Sequence, residues 1–310
     1  MWLFVIKRMA ASVPVVIGIS LLAFALLQAV PGDPVTAILG DRYTPEAAAN
    51  LRRDLNLNGS VVAQYFSWLA QIARGNLGIS LFSGDPVWSL LKPAIMTSLL
   101  LAVGGTLLAC AIGIPLGLYS ALHPGGWVDR FSRVFALGGV SIPVYWIGLV
   151  LILIFSVKFP LLPAGGSPFD FGWKALALPS ISVGISFAGI LARTTRGAML
   201  EIVNQPYVET AWANGLSPRT VLWTHIFPNA LIPIVTVIGL QFGLLVGGAV
   251  LTEIVFALPG VGNLLVQSVF RRDYPILQGC LLVITIAFVL VNLITDILYG
   301  LLDPRIRRQH

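Results

Sequence analysis

Six stretches of this chain are apolar over the length that a bilayer demands: Met9 to Val30, Thr97 to Leu122, Val134 to Val157, Leu176 to Ala192, Ala230 to Thr252 and Gly279 to Leu301. About 20 consecutive apolar residues carry an α-helix across the hydrocarbon core. Composition agrees, with 57% hydrophobic and only 10% charged residues, against about 25% charged in soluble domains. The mean hydropathy is +0.89. The predicted class is an all-α integral membrane protein with six transmembrane helices. The fourth run is the shortest, and Pro179 near its start predicts an irregular beginning there. The first run follows Lys7 and Arg8 as a secretory signal would. Its apolar part is too long for one and "QAVPGDP" is a poor cleavage site, so it reads as a retained helix.

Charge sets the orientation. With a cytoplasmic N-terminus the inner set is Lys7, Arg8, Arg130, Arg133, Arg193, Arg196, Arg219, Arg305, Arg307 and Arg308, ten in all. The short outer loops hold four, Lys158, Lys174, Arg271 and Arg272. Basic residues gather on the cytoplasmic side, and loops beyond about 60 residues count little. Both termini are therefore expected inside. The net charge of +6 records this topology; no basic cluster of nucleic-acid type occurs.

The long segment after the first run has helical content. Thr44-Pro45-Glu46 reads as a helix start with a cap and a Pro at the first position. "VVAQYFSWLAQIARG" has helical spacing and ends in Gly75, a terminator. These amphipathic helices predict a small cap on the outer face, some of it at the membrane interface. The expected organisation is an N-terminus and first span over 1–30, an outer helical segment over 31–95, a transmembrane domain over 96–302 with an inner loop at 193–229, and a cytoplasmic tail over 303–310. No internal repeat marks two halves of a carrier, so six spans read as half of a larger pore.

Several chemistries find no residues. There is no G-x-x-x-x-G-K-[ST] loop for ATP, no G-x-S-x-G elbow and no cluster at metal-ligand spacing. No cofactor is expected. Ser186 lies in a span, but no span holds a His to activate it. Cys110 and Cys280 each sit in an apolar run and read as small core residues. Asp296 is the clear ionisable residue within a span. It either pairs with a base, Arg305 or one on another helix, or lies in the translocation path.

The inner loop is the longest polar segment on its side. Gln205-Pro206 starts a helix, on which Tyr207, Val208, Ala211 and Trp212 make an apolar face. Glu209 lies in its first turn, where a negative charge favours the helix dipole. Asn214-Gly215 ends it, with Gly215 in the left-handed region. Ser217-Pro218 begins a second short helix, which Pro228 stops before the next span. A DNA-reading helix-turn-helix needs several phosphate-binding bases; between Asn204 and Asn229 only Arg219 and His225 are basic. Two readings remain: a packed connector, or a rigid knob for a cytoplasmic protein. The small Ala211 and Gly215 permit close approach, and Tyr207 and Trp212 are the residue types that anchor interfaces. On the outer side, "EIVFALPGVG" at 253–262 turns at Pro259, Gly260 and Gly262, with Phe256 and Leu258 apolar. It predicts a re-entrant or surface-lying loop at the outer mouth, its backbone satisfied against protein.

These residues resemble a known family. The pattern Glu-Ala-Ala, three residues, Gly, nine residues, Ile-x-Leu-Pro marks membrane subunits of ABC importers. Here Glu209-Thr210-Ala211, Gly215 and His225-Ile226-Phe227-Pro228 match it at Glu209, Ala211, Gly215 and Pro228, with Thr210 in place of the middle Ala and His225 and Phe227 in place of Ile and Leu. "PGDP" at 31–34, "GLQFGLLVGGAVLTEIVFALPGVGNLL" at 239–265, "RRDYPILQG" at 271–279 and "LDPRIR" at 302–307 resemble the dipeptide, oligopeptide and nickel permease group. The likeness covers essentially the whole chain and is nearest the first of its two paired permeases. It implies a type I ABC importer transmembrane fold in a bacterial inner membrane. It also implies a second homologous permease, two ATP-binding subunits that hydrolyse ATP on this chain's behalf, and a periplasmic or lipid-anchored solute-binding protein. The loop around Glu209 to Gly215 would sit in a groove on one ATPase. Glu253 would face the passage or the binding protein, or form a structural salt bridge. Peptides are the expected solute, with nickel chelates and glutathione-like peptides handled by related permeases. A self-contained channel or secondary carrier is the competing class; it would transport alone.

Overall fold

The computed structural model describes residues 2–29, 35, 39, 44–54, 59–247 and 249–302. The "PGDP" turn, nearly all of "LDPRIR" and the tail with Arg305, Arg307 and Arg308 lie outside them. Among the described residues every regular element is helical, with one isolated bridge between Ile79 and Pro86. Five helices are long and apolar enough to cross a membrane, and a bent pair makes a sixth span.

Helix α1 (Trp2–Ala29) is the first span. Helices α2 (Pro45–Asp54) and α3 (Val61–Ala73) follow. Pro45 opens α2 as expected, and Gly75 turns the chain after α3 at φ +79°. Ser60 caps α3, its Oγ accepting from Ala63 N. Tyr65 on α3 is buried against α1, where its ring meets Phe24 edge-on and its hydroxyl lies 2.8 Å from Ser20 Oγ. The cap is thus docked on the first span.

Helix α4 (Val87–Leu122) begins ten residues before the expected span, and α8 (Trp173–Val203) runs straight through Pro179 and far past Ala192. The irregular start expected there is absent: the helix begins six residues earlier, after Gly172. Residues 193–203, expected in a loop, are its last three turns. The apolar window had understated α8 because serines and threonines dilute it. Ser180, Ser182, Ser186 and Thr195 are all buried, and α8 is the most enclosed of the spans.

Helices α4 and α8 pack in parallel on small residues. An added Cβ at Gly113 would meet Ala188 O at 2.8 Å, and one at Gly117 would meet Ala192 O at 2.5 Å. This is the close small-xxx-small contact by which helices associate in lipid, where tails are as apolar as Leu and close packing must supply the attraction.

The third run is not one straight helix. α5 (Trp127–Ser141) and α6 (Val144–Ile152, continuing as a π-helical turn over Leu153–Lys158) meet at 97°. Pro143 is the cause: it forces the preceding residue out of the α region, and Ile142 is extended at φ −89°, ψ 122°. α5 lies antiparallel on α8, with Gly139 against Ser186 and Gly189. A short helix, α7 (Pro168–Phe171), caps the start of α8.

The next span also differs. α9 (Pro206–Ala213) and α10 (Pro218–Thr220) form the expected pair of short helices. After α10 the chain does not stop at Pro228. It continues through a π-helical turn, Val221–Ile226, into α11 (Phe227–Val246). Pro228 sits where the π-helical turn passes into α11, inside continuous helix. The span closes at Val246 rather than Thr252. Val250–Val255 is a separate short helix, α12, followed by α13 (Val261–Arg271) and the last span, α14 (Tyr274–Leu302). α11 and α14 run antiparallel, with Gly239 against Thr295 and Gly247 towards Ile284. Both cysteines are unpaired; Cys280 is buried and Cys110 partly so.

Candidate functional site

Helix α9 presents two faces. Val208 and Ala211, at i and i+3, are buried in a cluster with Ala121 of α4, Leu191, Ala198 and Met199 of α8, Val221 and Ile226. Tyr207 and Trp212 point away and remain 43% exposed. Glu209 is exposed, as is every residue from Trp212 to Thr220. Gly215 ends the helix at φ +75°, its N–H bonded to Trp212 O at 3.0 Å. Ser217 caps α10, its Oγ accepting from Thr220 N.

The apolar face expected from spacing is therefore split. Ala211 lies beneath the surface and cannot itself offer close approach to a partner. Tyr207, Glu209, Trp212 and Gly215 make the exposed ledge. Gly215 has no atom within 4 Å of an added Cβ, so its neighbourhood inside this chain is open.

Beneath this ledge lies a charged cluster that spacing did not single out. Asp129, on the first turn of α5, is 1% exposed. Ser120 Oγ donates to it at 2.6 Å and Gly125 N at 2.9 Å. Arg196 of α8 grips both oxygens, Nε at 2.6 Å and Nη2 at 3.2 Å. Arg133 adds an ion pair at 3.3 Å. Asp129 joins the end of α4, the start of α5 and α8. The available signal was an acid just after Gly125-Gly126 with Arg133 four residues on.

At the opposite end, residues 253–262 fold back against protein as expected. Phe256 and Leu258 are fully buried. Gly166 N bonds Phe256 O at 3.1 Å, and Leu258 N bonds Glu253 O at 2.8 Å. Glu253 is itself fully buried. It accepts from Ser98 Oγ on α4 at 2.6 Å and from Asn263 N at 2.9 Å. Ser98 Oγ in turn accepts from Val261 N at 2.9 Å. Gly260 and Gly262 are required by this approach: a Cβ at Gly260 would fall inside the Glu253 carboxylate, and one at Gly262 would meet Val250 at 2.8 Å. Pro259 sits at the apex of the turn between α12 and α13. The carboxylate's partners are a hydroxyl and a backbone amide, not a base.

A second buried acid holds the same end together. Asp273 accepts from Ser80 Oγ and from the backbone of Leu81 and Phe82 at 3.2 Å each. This pins the loop before α4 to the α13–α14 corner. Asp296, in the last span, pairs with Arg8 of α1 at 3.0 Å. Its base is on another helix.

A parallel α4–α8 core, a bent third span, a helix-turn-helix ledge at one end and a folded-back hairpin at the other define a multi-pass permease of the type I ABC importer fold. The chain covers 96% of the membrane chain in two solved inward-facing forms of the MetNI methionine ABC transporter. The match spans 69% of this chain, with TM-scores of 0.57 and 0.55 at 19% and 21% identity, which bears on fold alone.

The chain belongs to the family described as binding-protein-dependent transport system inner membrane component, matched over residues 113–308. The N-terminal part of such components matches over residues 1–99. It is thus a permease of an ATP-driven importer and a multi-pass inner membrane protein. It is 38% identical over 312 residues to the probable peptide ABC transporter permease protein y4tP of Sinorhizobium fredii (strain NBRC 101917 / NGR234), covering 99% of this chain and 100% of that one. It is 37% identical to the di/tripeptide transport system permease protein DppB of Pseudomonas aeruginosa (strain UCBPP-PA14), over 99% of each chain. It is 36% identical to the dipeptide transport system permease protein DppB of Escherichia coli (strain K12), again over 99% of each.

Proposed function

We infer that this chain is one of two homologous permeases enclosing a passage for di- or oligopeptides. In this reading both termini and the 205–220 ledge are cytoplasmic, and the ledge docks in a groove on one of two ATPase subunits. A periplasmic or lipid-anchored binding protein delivers solute at the opposite mouth. The observation that carries the docking is the ledge itself: exposed from Trp212 to Thr220, yet seated through Val208 and Ala211 in the core shared by α4, α8 and α11. A partner pressing there pushes on the spans and not on a slack loop. Peptide as solute is supported by full-length relatives whose names specify peptide, dipeptide or di/tripeptide transport.

Gly215→Val and Glu209→Ala test the docking. Valine at φ +75° costs about 1–2 kcal/mol of backbone strain, but its Cβ meets no atom of this chain within 4 Å. Insertion should be normal, and ATPase co-purification and uptake of radiolabelled alanyl-alanine should fall together. Full uptake with intact ATPase association in Gly215→Val would sink the docking. Absence of uptake by the wild-type complex would remove the peptide.

A further inference from the structure

We propose that the Asp129–Arg196 pair is a transmission tie that makes α5 move as one body with α8 when the ATPases close, a positioning role for both residues that rests on the docking reading above. Helix α8 leads through one short turn into the first helix of the ledge, as the second runs on into α11. Arg196 lies seven residues before its end at Val203, about 10 Å along the axis. On one side of that end the ledge is packed against Ala198 and Met199. On the other, Arg196 reaches Asp129 by two bonds.

Elsewhere α5 is held to α8 by close packing of small residues and few polar bonds. The contact is smooth, Gly139 on Gly189 and Ala136 on Gly189, with backbone atoms 3.2–3.3 Å from a built Cβ. Such a surface permits sliding. Its polar pins are Ser186 Oγ to Gly139 O at 2.9 Å and, past the bend, Ser182 Oγ to Val144 O at 2.7 Å. Both are single neutral bonds. Asp129–Arg196 is the charged, two-point pin, the geometry that fixes orientation as well as distance, and it sits nearest the ledge.

The same carboxylate is bonded by Ser120 and Gly125, so the end of α4 is held to the joint. Motion of α8 is thereby handed to the bent third span. Without the pin, α8 follows the ledge while α5 lags.

The test uses the complete transporter, purified through a tag on this chain and placed in proteoliposomes. Spin labels go at Leu137→Cys on α5 and Glu201→Cys on α8, both exposed, in a Cys110→Ala/Cys280→Ala background. The antiparallel packing puts the sites about 20 Å apart along the axis. With Asp129 and Arg196 intact, their separation should be the same before and after trapping with ATP and vanadate. In Asp129→Asn it should change by about 2 Å or more, a helix shift of the usual size, while ATP hydrolysis persists and uptake of alanyl-alanine is lost. Arg196→Lys keeps the charge but not the two-point grip. It should give the same shift, and it serves if Asp129→Asn fails to assemble. A separation that changes with the pair intact, or stays constant in the variant that assembles, overturns the tie. The docking reading is read separately, by cross-linking Ala213→Cys to an ATPase subunit; its failure leaves the 137–201 separation as informative as before.

Discussion

Replacing Glu253 should loosen the mouth hairpin by an amount that its contacts specify. The buried carboxylate receives Ser98 Oγ and Asn263 N. Glu253→Ala removes the acceptor and strands both donors. Leaving one such donor unsatisfied costs about 1–3 kcal/mol, so a loss of at least about 2 kcal/mol is expected. Glu253→Gln keeps the shape and one acceptor oxygen but turns a donor toward Ser98, and should cost about 1–2 kcal/mol. Each kcal/mol shifts the melting midpoint by about 2–4 °C in a large domain. Alanine should therefore lower it by about 4 °C or more, and glutamine by about 2–8 °C. Cys280 makes the assay local: it is fully buried in the cluster of Val87, Leu91 and Val261 that this hairpin helps close. A thiol-reactive fluorophore in detergent should report its exposure on heating. An alanine variant whose Cys280 becomes reactive within about 1 °C of wild type would refute the clamp, because so small a shift leaves no room for two stranded donors.

Gly117→Ala should destabilise by at least about 1–3 kcal/mol, since its methyl would press on the backbone of Ala192 and the Cβ of Thr195; Gly197→Ala, with open space around it, should be neutral or slightly stabilising by thermal melt. Asp296→Asn breaks a partly exposed pair with Arg8, and should lower the midpoint by at most about 4 °C with uptake intact; loss of uptake in a well-inserted variant would place Asp296 in the passage. Membrane-impermeant thiol labelling should reach Arg272→Cys from outside and spare Leu216→Cys. Arg272 is the correct outer probe because its neighbour Asp273 is buried.

The spans, the ledge and the mouth turn could be read along the chain because each is local. Apolar length reports bilayer crossing whatever the neighbours are. Pro206, Gly215, Ser217 and Pro218 act on their own backbone, so the two short helices and the positive φ of Gly215 appeared where the residues placed them. Errors came where a neighbour decides. Pro179 predicts an irregular start and Pro228 a stop, yet both lie within continuous helix, which tolerates Pro inside a bundle that satisfies the freed groups. Pro143, of the same residue type, does break its span at 97°.

The buried charges belong wholly to tertiary structure. Asp129 and Arg196 are 67 residues apart and Ser98 and Glu253 are 155 apart, so no window along the chain contains both members of either pair. Nor does helical spacing say which face of α9 turns inward. Val208 and Ala211 were buried, and Tyr207 and Trp212 left outside, by where α4 and α8 end. That this chain crosses a membrane, and that it turns at Gly215 and at 253–262, was legible along the chain, because length, hydropathy and Gly or Pro backbone limits act residue by residue. Only the packed helices decided which acids serve as pins and which residues face a partner, because those outcomes depend on what distant segments bring within bonding distance.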